Sequence, residues 1–91
     1  MINKAYFLIE TVIGKSREVS LGLQECDWVE YVERVVGPYD VVGIAQGHAS
    51  CDIEELVKDG VRSIDGVIRV VVCPISTALE MGVPAIAATV S

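Results

Sequence analysis

Histidine occurs once in the chain, at His48, and cysteine three times, at Cys26, Cys51 and Cys73, with no pair spaced as CxxC. A metal site needs His and Cys clustered at ligand spacing, so none is expected. One histidine among scattered carboxylates is poor material for acid–base catalysis. No Ser-His-Asp arrangement and no phosphate-binding glycine loop is readable either. The expectation is a protein that is not an enzyme and carries no cofactor. An odd cysteine count without metal spacing points to reduced thiols, mostly buried, in a cytoplasmic protein. Basic residues are also sparse: 7 Lys and Arg stand against 13 Asp and Glu, a net charge of −6. An acidic surface repels the phosphate backbone, and no basic run interrupts it, which argues against direct binding of DNA or RNA. No apolar run reaches the roughly 18 residues of a membrane span. The opening "MINKAYFLIE" lacks the apolar core of a signal peptide.

What is present is aliphatic. The 91 residues are 52% hydrophobic, and a chain this short buries a smaller share of its surface than a large one. The surplus suggests faces covered by further copies of the same chain.

The run "KAYFLIETVI" (4–13) is rich in aromatic and β-branched residues and reads as a strand. Ala5, Phe7 and Ile9 fall on one face, and Tyr6, Leu8 and Val12 on the other, so both faces are expected to be covered. "KSREVSLGLQEC" (15–26) places Val19, Leu23 and Cys26 on one helical face, with Gly22 weakening the helix by about 1 kcal/mol. "WVEYVERVV" (28–36) alternates, with Val29, Tyr31 and Val35 on one side and Glu30, Val32, Arg34 and Val36 on the other. The turn Gly37-Pro38-Tyr39-Asp40 follows, then a strand "VVGIAQGH" (41–48). A connection this short makes the two strands antiparallel neighbours.

The clearest helix is "SCDIEELVKDGVRSI" (50–64), whose Ile53, Leu56, Val57, Gly60, Val61 and Ile64 share one face. Ser50 or Asp52 caps its start, and Asp52 with Glu55 has capping-box spacing. Gly60 on the apolar stripe allows a close approach to the sheet. "VIRVVVCPI" (67–75) is the last strand. The order strand, helix, strand, strand, helix, strand is two split βαβ halves. It predicts an α+β, ferredoxin-like βαββαβ sandwich over residues 1–75, with both helices on one sheet face. Residues 76–91 form an apolar tail with one charge, Glu80, which either packs on a neighbouring subunit or stays partly disordered.

In this order and spacing, residues 4–75 resemble the effector domain of Lrp/AsnC transcriptional regulators, the RAM (regulation of amino-acid metabolism) domain. The most specific matching pieces are Gly37-x-Tyr39-Asp40 and "RSIDGV" (62–67), where the family has Ile-Pro-Gly-Val. Full-length relatives carry an N-terminal helix-turn-helix. Here the first strand starts within a few residues of Met1, so a stand-alone effector domain without direct DNA contact is expected. The resemblance implies a homodimer built through the sheets, rings of dimers and amino-acid ligands at subunit interfaces near the turn. It also implies mixed assemblies with DNA-binding relatives. Where the family's last strand carries Thr or Ser, this chain has Val70 and Val72. That favours a branched or aromatic ligand over a polar one.

The candidate ligand-binding residues are Gly37, Pro38, Tyr39, Asp40, His48 and Arg69. Each also has a plainer role. Gly37 and Pro38 suit a tight turn, and Asp40 can bond backbone N–H groups. His48 suits an exposed loop, and Arg69 a surface ion pair. Functionally, Asp40 would accept a ligand ammonium while turn N–H groups or Arg69 meet its carboxylate. Trp28 is expected to pack. The rival readings are a dimeric αβ-barrel monooxygenase-like enzyme of the same topology and a purely structural oligomerisation module.

Overall fold

A computed structural model describes residues 2–75 of the chain. The expected packing of the 76–91 tail lies outside the described residues. The elements run β1 (Ile2–Thr11), α1 (Ser16–Gln24), β2 (Val29–Arg34), β3 (Val41–His48), α2 (Ile53–Arg62) and β4 (Val67–Pro74). This is the βαββαβ order of the ferredoxin-like α+β fold. The four strands form one sheet in the order β2-β3-β1-β4, and every neighbouring pair is antiparallel.

β1 and β3 are central and bonded on both edges, so their inward side chains are fully enclosed. Ala5, Phe7 and Ile9 are fully buried, with Val41 and Ala45 of β3 beside them. Val19 and Leu23 of α1 and Ile53, Val57 and Val61 of α2 cover this face. Each such aliphatic side chain stabilises the fold by about 1.5–3 kcal/mol. Asp52 caps α2, its Oδ1 accepting from the Glu55 N–H at 3.3 Å. Gly60 lets Trp28 lie against α2: a Cβ there would stand 2.5 Å from Trp28 Cζ2. The indole meets Phe7 edge-on, with ring centroids 6.1 Å apart.

One feature departs from simple alternation. The β2–β3 register shifts between Val29 and Tyr31. Val29 and Val32 therefore pair with inward Ala45 and Gly43, while Tyr31 and Glu33 pair with Ile44 and Val42 on the opposite face. Val29 and Tyr31 do not share a side. The extra residue of a bulge reverses the parity of everything after it. A second shift, at Glu10/Thr11, sets Ile68 of β4 out of the ladder. No helix among the described residues is long and apolar enough to cross a membrane.

Candidate ligand-binding site

The β2–β3 connection closes on the Val35 N–H, which donates to the Asp40 carbonyl at 2.9 Å. Gly37 sits at φ +151°, a conformation that residues with a Cβ rarely adopt. Asp40 then ties the turn to the end of β1. Its N–H donates to the Ile9 carbonyl at 2.8 Å. Its Oδ2 accepts from the Thr11 N–H at 2.8 Å and from the Thr11 hydroxyl at 3.2 Å. Thr11 is buried, so the carboxylate oxygen satisfies donors that would otherwise lie unpaired at the strand end.

Tyr39 and Arg69 meet over the turn. Arg69 donates from Nη2 to the Tyr39 hydroxyl at 3.2 Å, and its guanidinium carbon lies 5.4 Å from the Tyr39 ring centroid. Both contacts hold a flexible side chain in one place. On its other side Arg69 Nε stands 3.7 Å from Glu10 Oε1; the Arg69 side chain is largely exposed and that of Glu10 partly so. The register brings these groups together, since Glu10 pairs with Arg69 across β1 and β4. Gly37, Pro38, Tyr39, Asp40 and Arg69 therefore converge.

His48 does not join them within one chain. It ends β3 at the end opposite Asp40, about 26 Å away at the strand rise. Its Nδ1 accepts from the Ser50 N–H at 3.2 Å and lies 2.9 Å from the Ser50 hydroxyl. The neutral ring accordingly carries its proton on Nε2. Asn3 donates to the Ala49 and Cys51 carbonyls and steadies that loop.

The sheet face away from the helices is apolar and uncovered in a single chain. Tyr6, Leu8, Tyr31, Val42, Ile44 and Cys73 border a depression of about 370 Å³. Tyr31 donates to Glu33 at its rim, and this hydrogen bond, followed by slight desolvation and the Glu33 charge, raises the phenol's pKa. On the helix side, burial pushes the Cys26 thiol up, assisted by the charges of Asp27 and Glu25. All three cysteines are free, and no group of three metal-ligating side chains occurs among the described residues.

Glu10 and Thr11 were not among the sequence candidates. Both follow the apolar run Ala5–Ile9 at the end of β1, beside the turn. A charge in such a strand is the same signal that singles out Arg69.

No family model matches the chain, and no curated protein matches it. Solved structures do. TTHA0845 from Thermus thermophilus is 24% identical, with a TM-score of 0.73 over 81% of this chain and 92% of that one. FFRP-DM1 is 22% identical, with a TM-score of 0.74 over 81% and 99%. AsnC of E. coli is 11% identical, with a TM-score of 0.70; the match takes in 80% of this chain and 50% of AsnC. The fold is thus one found in AsnC, whose name the family resembled by the sequence also carries.

Proposed function

We propose that this chain is a non-enzymatic effector domain of Lrp/AsnC type that self-associates through the uncovered sheet face and binds an amino-acid-like ligand beside the GPYD turn. The observation that carries the ligand reading is the Arg69 guanidinium, exposed yet held against Tyr39 at the turn. A cation fixed in place but open to solvent has lost little of its capacity for a carboxylate, and a planar guanidinium can bind one with two parallel hydrogen bonds. The neighbouring apolar face can take a side chain. Asp40 gives the turn its shape, Gly37 and Pro38 expose its backbone, and His48 would reach a ligand only from another copy.

The same face supports self-association. Tyr6 and Tyr31 remain about half exposed there, and sheet faces of this kind are stabilised by burial against a partner. Rings of dimers and mixed assemblies with DNA-binding relatives belong to this reading, as does a cytoplasmic location, consistent with three free thiols. Any influence on transcription would pass through such partners, because a charge of −6 opposes direct contact with nucleic acid.

A thermal-shift screen of the full chain against the twenty amino acids tests the proposal. A ligand at 100 times its Kd stabilises the folded state by about 2.7 kcal/mol. At least one amino acid is expected to raise the melting temperature. A flat response to all twenty at millimolar concentration would overturn the ligand reading.

A further inference from the structure

We infer that Glu10, and not Asp40, receives the ammonium group of the ligand, with Arg69 on its carboxylate, and that the ligand is a free amino acid with a large aliphatic or aromatic side chain. This inference rests on the reading of the chain as an amino-acid binder and assigns the two ends of the head group and the side-chain class.

The carboxylates near Arg69 are not equivalent. Asp40 Oδ2 already accepts from both donors of Thr11, and using Asp40 as a ligand group would disturb the end of β1. Glu10 has Arg69 as its close charged partner among the described residues. The 3.7 Å separation is too long for a strong hydrogen bond, and the two side chains are 40% and 59% exposed. An ion pair of this kind contributes little to stability, so parting it around a zwitterion costs little. Arg69 stays in place when the pair opens, because Tyr39 holds it through the ring face and the hydroxyl. Beyond the last ladder pair, Ile9 with Val41, Asp40 bonds the Ile9 carbonyl and the Thr11 N–H on either side of Glu10. Glu10 then marks the ammonium position and Arg69 the carboxylate position, while the Asp40 carboxylate stays turned to Thr11.

Side-chain class follows from what adjoins the clamp. Leu8 is the next residue on the same face, about 7 Å along β1. It pairs with Val42 on one side and Val71 on the other. This floor leads from the clamp toward the depression at Tyr6 and Tyr31. Leu8, Val42 and Val71 offer a polar substituent no hydrogen bond, and the polar groups nearest this floor, the Tyr31 hydroxyl and the Glu33 carboxylate, are engaged with each other.

The test is isothermal titration of the full chain with L-leucine, L-isoleucine, L-valine, L-methionine, L-phenylalanine and L-tryptophan, and with their N-acetyl and carboxamide derivatives. At least one free amino acid should bind, and both blocked forms should bind about tenfold or more weakly, the scale of one charge-assisted hydrogen bond. Glu10→Gln should weaken the free amino acid by a similar factor and leave the N-acetyl form unaffected. Arg69→Gln should do the converse, sparing the carboxamide. Asp40→Asn should stay within about threefold. Both side chains reach solvent and neither is buried, so their variants should fold, which a matching melting temperature checks. Wild-type affinity in Glu10→Gln, or equal binding of the N-acetyl form, overturns the assignment while leaving the amino-acid reading intact. Binding of polar amino acids alone overturns the side-chain class. Failure of all twenty in the thermal screen removes the parent reading and this inference together.

Discussion

At the scale of single residues, the GPYD turn is held by more than its backbone. Asp40 works as a connector between a hairpin and a strand from another part of the chain, 29 positions away at Thr11. Hydrogen bonds to a charged group contribute about 1.5–3 kcal/mol, and losing one partner leaves the buried donor exposed to the full desolvation cost. Asp40→Ala is therefore expected to destabilise the fold by about 1.5–3 kcal/mol, read as a lower urea midpoint with an unchanged slope. Asp40→Asn should cost clearly less, since the amide oxygen can still accept from the Thr11 N–H. Equal losses in the two variants would mean that charge, not the acceptor, is what Thr11 requires. The sequence made Asp40 visible as a polar turn residue but could not show this use of it. A turn's local chemistry reads from four consecutive residues; its partner on β1 depends on the sheet register.

Among elements, legibility followed how local the determining interactions are. All six elements, their order and the antiparallel hairpin could be read from periodicity and turn residues. The inward set Ala5, Phe7 and Ile9 was legible as well, because β1 alternates without interruption where it pairs with β3. β2 was not, since a bulge that one strand cannot announce alone shifts the parity between Val29 and Tyr31. Glycines give the sharper example. Gly22 in α1 and Gly60 in α2 both weaken a helix; the apolar stripe marks Gly60 for a close approach, but not that the Trp28 ring is what approaches. A Cβ at Gly22 would lie 3.9 Å from Ile64 Cγ2, ordinary contact. At Gly60 it would meet the Trp28 ring at 2.5 Å. Gly22→Ala should thus stabilise by about 0.5–1 kcal/mol through helix propensity alone. Gly60→Ala gains the same propensity but incurs an overpacking cost of about 1–3 kcal/mol, for a net loss of about 1 kcal/mol. Trp28 is the chain's one tryptophan, so its emission should shift in Gly60→Ala and not in Gly22→Ala. Identical spectra for the two variants would contradict the packing described.

At the scale of the whole molecule, two effects oppose each other when copies meet. The uncovered sheet face favours association through burial of apolar area, roughly 25 cal/mol for each Å² removed from water. The net charge of −6 on every copy disfavours it. Repulsion between like-charged molecules is screened over about 10 Å at 0.1 M salt, whereas apolar burial is not. Association should therefore strengthen with ionic strength, the reverse of what an ion-pair interface gives. Cys73 reports on this directly, because it is exposed and pairs with Tyr6 on the uncovered face. Cys26 serves as an internal reference on the helix side. Its raised pKa leaves less thiolate at a given alkaline pH, so it should alkylate slowly at every protein concentration, its rate still climbing above the ordinary thiol range. Peptide mass mapping after a timed pulse of iodoacetamide separates the two. The expected outcome is rapid labelling of Cys73 in dilute protein at low salt, and protection of Cys73 alone as concentration and salt rise. Light scattering on the same samples should move to at least a dimer. A chain that stays monomeric at micromolar concentration in high salt, with Cys73 open throughout, would leave the face uncovered in solution and remove the interface at which the proposed ligand site is completed.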